Sequence, residues 1–516
     1  MKHTYRYIVI IFALLIGGVS CNDFLDVMPD KRTELDSNKK LKELLVSAYP
    51  IVDPMMIYEH RTDNAMDNGA EYGNPSFAMI TENYFWKDIK TIEWDAPQML
   101  WQECYGAVSA ANQVLDAIEN RLGLSVENQS IKAEALMCRA YAHFMLANTF
   151  CQPYGEATAD KDLGIPYIEE LETVIGVKYD RGTVKDVYEK IARDIEEAYP
   201  MIDDNVYDIP LYHFNKKASA AFAARFYLFY GDYEKALKYA NDVLPDNPSA
   251  VLRDVPSYRI YNSSTEITYA YISNDEPANL LLVPLRSLWG RNYMEGRYGN
   301  SDPINFYCIY GSAGPWGDSF GNNFPVYTRR GYPTKFVPKF GEIFEIINPT
   351  ARTGQPHVVQ MAFTTDETLM VRAEANIMLK NYDAAARDLS YWYEKKGGNP
   401  ASADAIVKYY QGKKERELAS VKAKELDPWL VLVKDFHAKF PIEEGTQEMM
   451  LQGLLHARRI ETMHSGLRWL DIRRYGIEVI HNVDGGEPMT LAPDDLRRVI
   501  QIPAAVVSAG LTPNPR

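Results

Sequence analysis

The residues best suited to chemistry in this chain are aromatic, and many of them lie in one stretch. From 289 to 340, 52 residues include 13 aromatic side chains, 8 glycines and 5 prolines. That much glycine and proline predicts turns and irregular loops, and loops on a rigid scaffold are where binding residues collect. Tyr and Trp rings can stack on the apolar faces of sugar rings, while Asp, Asn and Arg side chains pair with hydroxyl groups. The stretch therefore suits the binding of a neutral polar polymer.

Another loop-like stretch runs from 59 to 94 and supplies both polar and aromatic side chains. In chain order, 59–94 is the first stretch and 289–340 is the second. Together the two stretches define a candidate ligand-binding region. Any single ring in such a loop has a structural alternative, which is to pack the loop onto its scaffold. The candidate ligand-binding residues are Trp289, Tyr293, Tyr298, Tyr307, Tyr310, Trp316 and Tyr327 from the second stretch, with Trp86, Arg61, Asp67 and Asn68 from the first.

Enzyme signatures are absent from the sequence, which has no His-Glu-x-x-His, Gly-x-Ser-x-Gly, phosphate-loop or Cys-x-x-Cys motif. His456 and His464 flank Glu461 without an evident third ligand, and we interpret them as surface or packing histidines. A catalytic pair of carboxylates stays an open alternative, because 70 acidic residues offer many candidates and the sequence does not show their separation. We predict no catalytic residue, no cofactor and no metal site. A structural cation such as calcium stays open, since the loop acids show no ordered ligand spacing.

Composition excludes several classes of protein. The 516 residues are 46% hydrophobic and 24% charged, which is ordinary for a folded globular protein and excludes wholesale disorder and a polytopic membrane protein. With 55 Lys and Arg against 70 Asp and Glu, the net charge is −15, so nucleic acid is not an expected partner.

The N-terminus has the plan of a secretory signal. Lys2 and Arg6 precede an apolar run from 7 to 16, and Gly17 to Ser20 lead to Cys21. The apolar run is too short for a stable membrane anchor. We predict a lipoprotein signal peptide over 1–20, lipidation at Cys21 and a tether over 21–41. A plain signal peptide with an incidental cysteine is the alternative.

The remaining chain predicts a mainly α-helical domain over 42–516, with loop insertions at about 59–94 and 270–345 and little β-structure. Apolar residues at helical spacing predict helices over 97–120, 131–150, 184–199 and 447–463. A repeat typical of tetratricopeptide hairpins occurs twice, 149 residues apart. Ala224, Leu228, Gly231, Tyr233 and Ala236 in the first copy correspond to Ala373, Ile377, Lys380, Tyr382 and Ala385 in the second. The cysteines Cys104, Cys138, Cys151 and Cys308 are expected as buried thiols, with one disulfide left open.

Five blocks of sequence, in order, resemble one known family. They are Cys21-Asn-Asp-Phe-Leu-Asp26, Arg139-Ala-Tyr-Ala-His-Phe with Pro153-Tyr-Gly155, Arg181-Gly-Thr-Val-Lys-Asp186 with Asp194, Arg459-Ile-Glu461 with Gly466-Leu-Arg-Trp-Leu-Asp471, and Ile502-Pro503 with Asn514-Pro515. This set is similar to the SusD/RagB family of outer-membrane nutrient-binding lipoproteins of Bacteroidetes.

The resemblance implies a function, a location and a partner. We expect a lipid-anchored protein on the outer-membrane surface that captures an oligosaccharide and delivers it to a SusC-like TonB-dependent transporter. The acidic residues Asp23 and Asp26 after Cys21 fit the surface-export signal of such lipoproteins. Two alternatives stay open: a RagB-like protein of the same architecture that binds peptides, and a helical glycosidase.

Overall fold

Helices make up most of the fold, and the computed structural model describes residues 34–172, 174 and 176–516. The predicted signal peptide, Cys21 and the tether up to residue 33 lie outside the described residues. The helices are α1 (Asn38–Leu45), α2 (Met55–Tyr58), α3 (Ala78–Tyr84), α4 (Pro97–Ala117), α5 (Gln129–Phe150), α6 (Val184–Ala198), α7 (Lys216–Tyr230), α8 (Tyr233–Val243), α9 (Ser264–Tyr271), α10 (Trp289–Asn292), α11 (Asp302–Cys308), α12 (Thr365–Met378), α13 (Tyr382–Lys395), α14 (Ala403–Lys422), α15 (Thr446–Glu461), α16 (Leu467–Arg474) and α17 (Ala504–Ser508). The strands are β1 (Met66–Asp67), β2 (Asn279–Leu285), β3 (Tyr298–Gly299), β4 (Tyr327–Thr328), β5 (Lys335–Phe336), β6 (Ile343–Asn348), β7 (Thr353–Thr364), β8 (Val479–His481) and β9 (Met489–Leu491).

The predicted fold class, mainly α-helical with little β-structure, is confirmed. Helices α4, α5, α6 and α15 are the four that apolar spacing predicted, with ends displaced by a few residues. Local signals explain where they begin: α4 has Pro97 in its first turn, and α6 begins with a capping box between Thr183 and Asp186. Helix α5 is buried along nearly its whole length, and its many alanines let α4 and α6 pack closely against it.

The two copies of the repeat form equivalent helical hairpins. Helices α7 and α8 form the first hairpin, and α12 and α13 form the second. Gly231 ends α7 in the left-handed conformation, at φ 85°, and Lys380 adopts φ 64° at the equivalent turn. Tyr233 and Tyr382 each begin the second helix of their hairpin. The tetratricopeptide-like reading of these segments is confirmed.

The main sheet is antiparallel and has the strand order β2-β7-β6. Strand β2 lies inside the stretch that was predicted as an irregular insertion. Its side chains are buried on both faces except Pro284, so the sequence Asn-Leu-Leu-Leu-Val-Pro-Leu shows no apolar–polar alternation. A strand buried on both faces cannot be told from another apolar run by periodicity, which is why the sequence did not reveal it.

A buried ionic cluster joins the early loop to the C-terminal helices. The Asp63 carboxylate accepts hydrogen bonds from Arg468 Nε and Nη2 at 2.9 and 2.8 Å. Arg459 and Lys434 approach the same carboxylate at 3.4 and 3.8 Å. Burial alone would raise the pKa of Asp63, but the charges of Arg459 and Arg468 hold it well below its usual range. Because a buried charge that loses its partner costs about 3–5 kcal/mol, this cluster fixes the early loop to α15 and α16.

Candidate functional site

The two loop stretches singled out in the sequence meet in the structure and form one surface. Strand β1 of the first stretch pairs antiparallel with β3 of the second. Just beyond β1, the Asn68 amide N–H donates to the Arg297 carbonyl at 2.8 Å, and its side-chain amide donates to the Gly296 carbonyl at 2.9 Å. Backbone pairing therefore sets the position of one loop relative to the other. We call this surface the loop junction.

A column of stacked rings supports the loop junction from beneath. The ring centroids of Trp86 and His481 are 4.4 Å apart, those of His481 and Tyr84 are 4.3 Å apart, and those of Tyr84 and Tyr298 are 4.4 Å apart. The Arg297 guanidinium lies 5.0 Å from the Tyr298 ring centre. The stacked rings thus extend from the buried core to the Arg297 guanidinium at the loop junction.

Arg297 is held in place from the opposite loop. Its Nε donates to Asp67 Oδ1 at 3.2 Å and its Nη1 donates to Asn74 Oδ1 at 3.3 Å. Asp67 is buried and also accepts the backbone N–H groups of Gly69 and Asp484, each at 3.2 Å. Asp67 is therefore a positioning residue whose oxygens are already occupied, whereas Asn74 is exposed beside Arg297.

Two half-buried tyrosines face each other across the loop junction. The ring centroids of Tyr72 and Tyr332 are 5.8 Å apart at an interplanar angle of 40°. Arg329 places its guanidinium 4.0 Å from the Tyr332 ring centre and donates to the Met294 carbonyl at 2.7 Å. A Cβ on Gly296 would lie 2.2 Å from the Tyr332 ring, so only glycine permits this ring position. The arrangement offers two rings and two guanidinium groups at the surface.

Most of the predicted contact residues are buried, so their side chains leave little surface for a ligand. Trp289 is 0% exposed and donates its indole N–H to the His464 carbonyl at 2.9 Å. Trp316 is 1% exposed and stacks on Phe320 at 4.7 Å. These side chains pack the loops onto the helices, which is the other role that a ring in such a loop can have. The buried set is Trp289, Tyr293, Tyr298, Tyr310, Trp316, Trp86, Arg61 and Asp67.

Three predicted residues keep an accessible surface. Tyr307 is 38% exposed on α11, while Tyr327 on β4 and Asn68 at the loop junction are half-buried. Helix α11 begins near the β4–β5 hairpin, whose turn carries Tyr332. Lys335 on β5 pairs with Asp302, the first residue of α11, at 3.0 Å. These three residues stay candidates for ligand contact.

The sequence argument found the region but missed Tyr72, Asn74, Arg297 and Arg329 as candidate contacts. The sequence does contain a local signal for the surface tyrosines, which is the glycine beside each of them. Tyr72 lies between Gly69 and Gly73, which adopt φ 120° and 78°. Tyr332 likewise follows Gly331, at φ 82°. A tyrosine at the tip of a glycine turn is held away from the core, whereas rings deeper in the same loops pack inward.

The histidines and the cysteines are structural. His456 lies 2.6 Å from the Ser312 hydroxyl and 2.8 Å from the Tyr410 hydroxyl, and burial lowers its pKa well below the usual value. His464 is also buried, so these are packing histidines and not surface ones. Within the described residues, no group of three or more His, Cys, Asp or Glu side chains is placed to hold a metal ion. The four cysteines named above are buried free thiols.

The fold and the loop junction together define a class of protein: a helical-repeat scaffold that presents an aromatic and polar surface on its loops. No helix among residues 34–172, 174 and 176–516 has the length and apolar character to cross a membrane.

Comparison with known proteins agrees with this class. The SusD-like family model described as "Starch-binding associating with outer membrane" matches residues 23–228. A "SusD-like protein P2" from Formosa agariphila is 27% identical over 164 residues, which are 31% of this chain and 29% of that relative's length. The chain thus matches less than a third of the curated relative.

Solved structures share the fold over almost the whole chain. A SusD superfamily protein from Bacteroides vulgatus is 17% identical, with a TM-score of 0.61 over 92% of this chain and 97% of that one. One from Bacteroides thetaiotaomicron is 17% identical, with a TM-score of 0.58 over 93% and 99%. A laminarin-binding SusD-like protein is 16% identical, with a TM-score of 0.55 over 93% and 99%. The chain therefore shares the fold of the SusD superfamily structures, and the SusD-like family model matches it over residues 23–228.

The burial of the tryptophans predicts the effect of their removal. Trp289→Ala and Trp316→Ala should each lower the free energy of unfolding by about 3–5 kcal/mol, because each leaves a large cavity in packed structure. Tyr72→Ala should lower it by less than about 1 kcal/mol, because its ring is half-buried at the surface. Urea denaturation of the purified variants measures the difference. Equal losses for Trp289→Ala and Tyr72→Ala would contradict this assignment of core and surface.

Proposed function

We propose that this chain is a lipid-anchored outer-membrane protein that binds an oligosaccharide at the loop junction and delivers it to a SusC-like TonB-dependent transporter. The observation that carries the proposal is the pairing of Tyr72 and Tyr332 beside Arg329, Arg297 and Asn74. Tyrosine rings offer apolar surface at small rotamer cost, and guanidinium and amide groups donate to sugar hydroxyls. The family description and the laminarin-binding neighbour support a glycan as the ligand.

Asp67 serves as a positioning group at the loop junction. It is buried, and its oxygens already accept hydrogen bonds from Arg297 and two backbone N–H groups. We therefore assign the loop junction a role in capture, with Asp67 positioning Arg297.

Loss of the two surface rings should weaken glycan binding while the fold is retained. On a panel that includes laminarin and starch oligosaccharides, we expect Tyr72→Ala and Tyr332→Ala each to weaken the best ligand about tenfold. A tenfold change corresponds to about 1.4 kcal/mol, which is within the range for one aromatic contact. Isothermal titration calorimetry measures the affinities.

The matched control is Tyr269→Ala, which removes a 53% exposed tyrosine from α9. It should leave glycan affinity unchanged. Unchanged affinity in Tyr72→Ala and Tyr332→Ala would contradict the proposed site. Binding of peptides alone would favour the RagB-like alternative, and release of shorter sugars on incubation would favour the glycosidase.

Anchoring and delivery have a separate test. We expect Cys21→Ala to move the protein from the outer-membrane fraction to the soluble fraction, because acylation supplies its membrane affinity. From cells that express the native chain together with its transporter, detergent extraction should yield a complex of the two. A Cys21→Ala protein that stays in the membrane, or a native chain that is extracted alone, would contradict this part of the proposal.

A further inference from the structure

A cleft of 420 Å³ lies on another part of the protein, between α4, residues 166–172 and 177–179, and the C-terminal helix α17. None of the residues of the loop junction lines it. Its volume is within the range of about 300–1,000 Å³ that small-molecule sites occupy. Most of its lining is apolar, including Val108 and Ile168 on one side and Leu511 on the other. The proposed glycan site does not explain this cleft.

Aromatic side chains form much of the cleft wall. On α4, the ring centroids of Trp101 and Tyr105 are 5.0 Å apart, and Tyr179 lies on the facing segment with 39% of its surface exposed. Trp101 is 8% exposed, and its ring lies in the wall of the cleft.

The rim of the cleft carries two carboxylates and one ammonium group. Glu170, Glu172 and Lys178 line it, and none of the three has an ion-pair partner among the residues that the structure describes. The neighbouring Glu169, by contrast, pairs with Lys190 at 2.6 Å and with Arg193 at 2.5 Å. Two carboxylates against one ammonium group leave the rim with net negative charge.

The pKa of Tyr179 reflects the negative charge at the rim of the cleft. Burial raises its pKa to about 12, with further contributions from a hydrogen bond to Glu172 and from the charges of Glu172 and Glu170. Glu170, Glu172 and Tyr179 all line the cleft, so the carboxylates and this ring share one wall. Carboxylates beside aromatic faces are the pairing that recognises organic cations, since both attract positive charge.

We propose that this cleft is a second binding site, for an organic cation on an apolar body. The apolar body fills the space lined by Trp101 and Tyr105, and the ammonium or guanidinium group meets Glu170 and Glu172. A neutral sugar would leave most of its hydroxyl groups against apolar lining, where unpaired polar groups are costly. The site is independent of the loop junction and of the proposed glycan function.

Three probes of similar shape and different charge test the proposal. They are 2-phenylethylammonium, 2-phenylethanol and 3-phenylpropionate, added to the full chain at low ionic strength and followed by ligand-observed NMR. We expect the ammonium compound to bind at least tenfold more tightly than the alcohol and the carboxylate to bind most weakly. The capped dipeptide Ac-Phe-Lys-NH2 carries the same groups on a peptide. Tighter binding of the dipeptide would identify peptides as the source of the ligand, and weaker binding would identify free amines.

Variants distinguish the contribution of the two carboxylates to binding from that of the apolar cavity. The double variant Glu170→Gln and Glu172→Gln should weaken 2-phenylethylammonium at least tenfold and leave 2-phenylethanol unchanged. Ser109→Phe, which places a ring in the cleft from α4, should abolish binding of both. Tyr72→Ala at the loop junction should change neither, whatever its effect on glycans. Absence of binding by every probe, equal binding of the three charge types, or full retention by the double variant would overturn the proposal.

Discussion

The structure depends most on the buried carboxylate of Asp63. Three cations from the C-terminal part of the chain converge on it: Arg459, Arg468 and Lys434. A charge is costly to bury without a partner, and the Asp63 carboxylate is the negative charge that all three cations share. Since Asp63 belongs to the first loop stretch and the arginines belong to α15 and α16, the cluster ties residues about 400 positions apart into one rigid body. The loop junction is built directly beyond this anchor.

Rigidity in this region explains how a surface made of loops holds a defined geometry. Strand β1 begins three residues after Asp63, and it pairs with β3 of the second stretch. The column from Trp86 through His481 and Tyr84 to Tyr298 then supports the pairing from below. Side chains that meet a ligand lose less conformational entropy when their supporting residues are already fixed. The buried rings thus contribute to recognition by holding the half-buried ones in position.

The sequence predicted the scaffold well and the individual contacts poorly, for physical reasons. Helical periodicity and the Gly231 and Lys380 turns depend on local sequence, so the hairpins were predictable. Which rings of a loop face inward depends on contacts distant in sequence, such as that between Trp289 and the carbonyl of His464. Strand β2 escaped notice because both of its faces are buried. Tyr72 and Tyr332 were recognisable afterwards by the glycine turns beside them.

The central claim is that ligand capture takes place at the loop junction. Hydrogen exchange of the full chain, measured with and without a saturating oligosaccharide from the panel, tests it most directly. The account predicts slower exchange at 66–74 and 327–335 on binding, because the ligand covers the loop tips there. It predicts no change at 101–112 and 166–172, which line the separate cleft. Protection confined to the cleft segments, with none at the loop tips, would contradict the account.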